Sequence, residues 1–127
     1  MATTSSHHLV QYIILRKDLI PKGMKASKGE WSWGAIIAQA CHASTACLHT
    51  FREDSNVKSY LSQMESMHKV ILQAPDLPAL EAIVESSGNL DRYPWIEQPE
   101  NVLTAVAFKP YPKETVYPLV AHLKLFR

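Results

Sequence analysis

Seven residues near the start, Leu9-Val10-Gln11-Tyr12-Ile13-Ile14-Leu15, form an almost unbroken apolar run rich in β-branched side chains. A strand with one wet face alternates apolar and polar residues, so a run without that alternation predicts a strand covered on both faces. The rest of the chain must therefore supply a layer for each side of a sheet. At 127 residues there is room for one such domain, which buries roughly two-thirds of its unfolded surface.

The remaining segments supply those layers. After Arg16-Lys17-Asp18, the stretch Pro21 to Glu30 carries Pro, Gly and Lys and reads as a loop. Ser32 or Trp33 caps a helix over about 34–51, and a shorter helix fits Val57 to Met67. Lys69 to Ala74 is a second strand. Asp76 then caps a helix with Pro78 in its first turn, ended by Gly88 or Asn89. Tyr93 to Glu97 and Leu103 to Phe108 are two more strands. Lys113 to about Leu123 is helical in pattern, although Pro118 must kink it or delay its start, and Leu123 to Phe126 is a short extended end. This order is that of an α/β sandwich, its first two strands parallel because a long helical crossover joins them. The domain is expected over 9–127, behind a short disordered lead at 1–8.

Composition excludes several classes. With 46% apolar and 20% charged residues the chain is ordinary globular material, and a net charge of +1 argues against a broad nucleic-acid footprint. Charge is nevertheless uneven. Arg16, Lys17, Lys22, Lys25 and Lys28 stand against Asp18 and Glu30, which suits either a solvated loop or one that meets phosphates. No stretch approaches the roughly 18 apolar residues that cross a bilayer, and the first eight residues lack a basic or apolar signal region. Cys41 and Cys47 lie six residues apart on one predicted helix, about 9 Å along its axis and too far for a bridge. Two buried free thiols fit a reducing compartment, so a cytoplasmic address is expected.

The long helix holds the most informative face. At about 100° per residue, Ile36, Ile37, Ala40, Cys41, Ala43, Cys47, Leu48 and Phe51 fall on one apolar arc. Gln39, His42, Thr45 and His49 fall opposite, among small alanines that let a ligand or second backbone come close. Metal binding is disfavoured, because the two cysteines diverge around the helix. A Cys41–His42 nucleophilic pair fails for the same reason. His42 is left as a structural histidine or as the wall of a polar pocket with Gln39. Trp31-Ser32-Trp33 is either a hydrophobic plug over the helix start or a stacking platform. The turn Trp95-Ile96-Glu97-Gln98-Pro99-Glu100-Asn101 concentrates polar groups, and Glu97 at a strand end is the best carboxylate for acid–base work.

Three segments together carry a family resemblance: Leu15-Arg16-Lys17-Asp18-Leu19 leading to Gly34-Ala35-Ile36-Ile37-Ala38-Gln39-Ala40-Cys41-His42-Ala43, then Lys69-Val70-Ile71-Leu72-Gln73-Ala74-Pro75-Asp76, then His122-Leu123-Lys124-Leu125-Phe126. The chain resembles the type 2 peptidyl-tRNA hydrolases over nearly the whole domain. It is most similar to a divergent branch, the peptidyl-tRNA hydrolase domain-containing proteins, which share the flanking Trp, the segment 95–101 and Lys109-Pro110-Tyr111-Pro112-Lys113-Glu114. The resemblance implies a three-layer sandwich, a mixed four-stranded sheet with helices on both faces. It also implies hydrolysis of the ester between a peptide and the 3′ end of tRNA, with no cofactor or metal.

The same resemblance marks departures. The lysine of the family's Gly-Lys falls on Ala35, and the family's Asp-Ala-Gly-Arg-Thr segment is replaced by Glu97-Gln98-Pro99-Glu100-Asn101. Thr104 aligns with the threonine opening the fourth strand. Catalysis is then expected to be weak and to rest on Glu97, Thr104 and His42, with Arg16, Asp18, Lys22 and Gln39 on the substrate side. The alternative is a catalytically inactive module on the same fold that binds tRNA or a protein. An apolar helix edge is compatible with a homodimer without requiring one.

Overall fold

In a computed structural model, residues 8–21 and 30–127 are described, and they build a mixed sheet between helices. The strand β1 (Leu9–Arg16) lies at its centre. It pairs in parallel with β2 (Lys69–Ala74) and antiparallel with β4 (Val102–Phe108), whose other edge pairs antiparallel with β3 (Arg92–Glu97). Two short pieces complete the six strands: β5 (Tyr111–Pro112) beside β1, and β6 (Lys124–Leu125) on the outer edge of β2. The four expected strands are thus present. The two additions are two-residue pairings, too short to show as a hydrophobic period.

The apolar run of β1 is divided between two layers. Val10, Tyr12 and Ile14 join one core with Leu80 and Ile83 of α3 (Leu77–Ser86) and Val116 and Val120 of α4 (Lys113–Val120). Ile13 and Leu15 join the other, with Ile36, Ala43 and Cys47 of α1 (Trp33–Thr50). Period-two alternation sends successive side chains to opposite faces, so both faces needed apolar residues. On the α1 side the apolar residues of β4 are Ala105 and Ala107, and these small side chains let the helix settle close to the sheet.

Local signals set the element ends. The Ser32 hydroxyl accepts from the Ala35 N–H and caps α1. Asp54 caps α2 (Ser55–Ser62) through Asn56 and Val57, and Asp76 caps α3 through Ala79. The second helix is shorter than expected, giving way to a single 3-10 turn at Met64–Ser66. Past α3, Gly88 takes a φ of +57°, the left-handed conformation that glycine adopts without strain. Pro118 neither delays α4 nor ends it at once. The helix runs from Lys113 and stops at Val120, two residues beyond the proline, earlier than expected. Of the expected lead, all but His8 lies outside the described residues, as does 22–29.

One expectation about α1 is corrected. Its buried stripe is Ile36, Gln39, Ala43, Ser44 and Cys47, while Ile37 is 58% exposed and Cys41 is exposed. Only Cys47 is a buried thiol, and burial chiefly pushes it up to about 12. The stripe is turned by roughly 60° from the one drawn through the apolar residues. Gln39 and Ser44 can lie inward because both find buried partners, Thr104 and Gln11 respectively.

A buried cation ties the periphery together. Lys109, only 6% exposed, donates to Asp54 at 2.7 Å and Asp91 at 2.9 Å. It thereby joins the cap of α2 to the chain entering β3. Burial alone would raise the Asp54 carboxyl, but Lys109 and the Asn56 and Val57 amides outweigh it and hold the group below the usual carboxylate range. A depressed folded value contributes stability above the unfolded pKa of about 3.9, which is lost as pH falls through the folded one. Lys109→Met should therefore cost roughly 2 kcal/mol in urea denaturation at pH 7. The gap between variant and wild type should narrow below about pH 4.

Candidate active site

The seam between α1 and the β3–β4 pair is built around a break in strand register. Pairing steps from Trp95↔Ala105 to Ile96↔Leu103, leaving Thr104 without a partner on β3. Such a bulge re-aims a side chain. Leu103 stays with the α3–α4 core, whereas Thr104 and Ala105 both serve the α1 side. The Thr104 hydroxyl donates to Gln39 Oε1 at 2.8 Å, and Gln39 Nε2 donates to the Ala35 carbonyl at 3.0 Å. Thr104 is fully buried and Gln39 1% exposed, so both act as struts within the seam.

Arg16 secures the same bulge from β1. Its guanidinium donates to the Leu103 carbonyl at 3.0 Å and grips both oxygens of Asp18, at 3.0 and 2.8 Å. Arg16 is 8% exposed, so its fork is spent on the fold, and Asp18 keeps the more open side of the pair. Arg16 and Asp18 thus sit together at the end of β1. Lys22 and the lysine loop lie outside the described residues.

One turn along α1 from Gln39, His42 reaches the sheet. Its imidazole stacks on the Trp95 indole with ring centroids 4.7 Å apart. The indole N–H donates to Glu97 Oε1 at 2.9 Å, and Tyr93 packs beside the indole. Trp95 and Glu97 are two apart on one strand and share a face. His42 is exposed and Glu97 half-buried, so imidazole and carboxylate are reachable while the indole orients both. The turn beyond Glu97 closes with Asn101 at a φ of 58°, its carboxamide accepting from Gln98.

The sequence-predicted residues therefore fall into two linked groups. Gln39, Thr104, Arg16 and Asp18 hold the bulge, and His42 and Glu97 meet through Trp95. The role of Trp95 was missed, although its i, i+2 spacing to Glu97 was available. Also missed was a second polar tie, at the middle of α1. Gln11 Oε1 accepts from Ser44 at 2.9 Å and Lys69 at 2.6 Å, while Gln11 Nε2 is buried without a partner among the described residues. The lone Gln inside the apolar run of β1 was its signal. Among the described residues no helix is long and apolar enough to cross a membrane.

In this α/β fold a carboxylate and an imidazole are held by one indole where a long helix meets the end of an antiparallel strand pair. Residues 9–126 match the family described as Peptidyl-tRNA hydrolase PTH2. The chain is 45% identical over 123 residues to a human protein named "Putative peptidyl-tRNA hydrolase PTRHD1", spanning 94% of this chain and 83% of the human one. Identity to the mouse protein of the same name is 43%, with the same coverage. The chain belongs to the PTH2 peptidyl-tRNA hydrolase family.

The buried Thr104–Gln39 bond is testable by stability. Thr104→Val keeps the shape but leaves Gln39 Oε1 without its donor, which should cost about 1–3 kcal/mol in chemical denaturation. Thr104→Ser should retain most of that stability.

Proposed function

We propose that this protein hydrolyses the ester joining a peptide to the 3′ end of tRNA. What supports this reading is the Glu97–Trp95–His42 array on the α1–β3 seam of a PTH2 family member. Ester hydrolysis needs a base to take a proton from water, and Glu97 offers one carboxylate oxygen beyond that held by the indole. His42, backed by Trp95, presents a flat exposed face on which a terminal base or peptide plane can lie. Thr104, Gln39 and Arg16 are positioning residues that fix the seam. Asp18 borders the substrate side, and the lysines at 22, 25 and 28 would meet the tRNA backbone. We place this work in the cytoplasm, in a single domain over 9–127. The exposed Ile37 face of α1 would be available to a homodimer.

Turnover is expected to be slow. Ala35, where the resemblance expects a lysine, has only a methyl group in the first turn of α1, and loss of one oxyanion donor costs about 10²–10³ in rate. This observation also favours a second reading, in which the seam binds the tRNA end without cleaving the ester.

A hydrolysis assay on an N-blocked aminoacyl-tRNA decides between them. The first reading expects turnover above background, about 10²–10³ below a lysine-bearing relative, and a further loss of about 10² or more in Glu97→Gln. Equal rates in Glu97→Gln and wild type would remove Glu97 from the mechanism. Background rates with retained tRNA binding would establish the second reading.

A further inference from the structure

On the sheet face away from α1, a cavity of about 340 Å³ opens between α4 and the strands β1, β2 and β6. Its floor is apolar, formed by Val70, Leu72 and Leu123, and among the described residues no acidic side chain lines it. The volume falls within the range of small-molecule pockets. Two of the polar side chains that line it make no side-chain hydrogen bond among the described residues.

The first is Tyr12. It is 4% exposed and lines the cavity, yet among the described residues its hydroxyl makes no hydrogen bond. Unlike Gln11 Nε2, the hydroxyl is not sealed from solvent, so it opens on the cavity, and a fold that required only bulk there would be served by phenylalanine. Burial, and then Tyr117 beside it, raise the Tyr12 hydroxyl above its ordinary range, so at neutral pH it is a protonated donor. The second is Lys113, in the first turn of α4. Its ammonium lies over the Tyr117 ring, 5.3 Å from the centroid, at the mouth of the same cavity.

We propose that this cavity is a second binding site, for a small amphipathic carboxylate. An apolar ring or short chain lies on Val70, Leu72 and Leu123, and its oxygens meet the Tyr12 hydroxyl and the Lys113 ammonium. Charge complementarity selects the anion, because among the described residues the lining supplies a cation and a donor and no carboxylate. The site occupies the opposite sheet face from Glu97 and does not depend on ester hydrolysis.

The test is a titration of the whole protein with 4-phenylbutyrate, followed by backbone amide shifts, with 4-phenylbutanol as the uncharged control. The acid should shift the amides of Tyr12, Val70, Tyr117 and Leu123 and bind about tenfold tighter than the alcohol. Lys113→Met should bring the acid down to the alcohol's affinity. Tyr12→Phe should weaken the acid several-fold while leaving the denaturation midpoint unchanged or raised. Absence of shifts at millimolar acid would overturn the proposal. So would equal affinity for acid and alcohol, or unaltered affinity in Tyr12→Phe. A lowered midpoint in Tyr12→Phe would show that the hydroxyl serves the fold and would overturn it too.

Discussion

Everything at the α1–β3–β4 seam depends on one hydrogen bond made out of reach of water, from the Thr104 hydroxyl to the Gln39 side-chain carbonyl. A buried amide oxygen must find a donor or impose a penalty of about 1–3 kcal/mol. That requirement fixes the rotation of α1 about its own axis. It also requires Thr104 to face the helix, which a regular strand would not allow beside Ala105. The bulge against Trp95 and Ile96 supplies the extra residue, and Arg16 holds the Leu103 carbonyl next to it. With α1 so rotated, His42 comes down on Trp95 and the indole reaches Glu97.

A second tie, Ser44 and Lys69 on Gln11, repeats this device five residues further along α1. Between the two ties the helix–sheet contact is made by small or aliphatic side chains such as Ala43, Ala105 and Ala107. Such a surface is easy to approach closely but specifies rotation poorly. Polar groups tied to fixed partners specify it well.

These ties mark the boundary of what could be read from the sequence. The central strand, the parallel β1–β2 pair and the capping residues Ser32 and Asp76 were legible, because each rests on a local pattern. The inward face of α1 was not. An apolar arc assumes that polar residues face water, and Gln39 and Ser44 escape that rule through partners 65 and 33 residues away. Ile37 and Cys41 consequently lie outside the core. The gathering of His42, Glu97, Gln39 and Thr104 on one seam was legible. The division of labour among them was not, because it turns on which side chains are sealed from solvent and on the indole that joins the others. Arg16 shows the same limit: a basic residue beside a lysine-rich loop, it is held by Asp18 and a backbone carbonyl.

The central claim is that the tRNA 3′ end meets this protein at the Glu97–Trp95–His42 array. The most direct measurement is an NMR titration with a short CCA oligonucleotide carrying a non-hydrolysable amide-linked amino acid. The account predicts that the Trp95 indole N–H, the His42 ring and the Glu97 amide shift first and saturate together. Shifts confined to other surfaces, with the indole N–H unmoved at saturation, would contradict it.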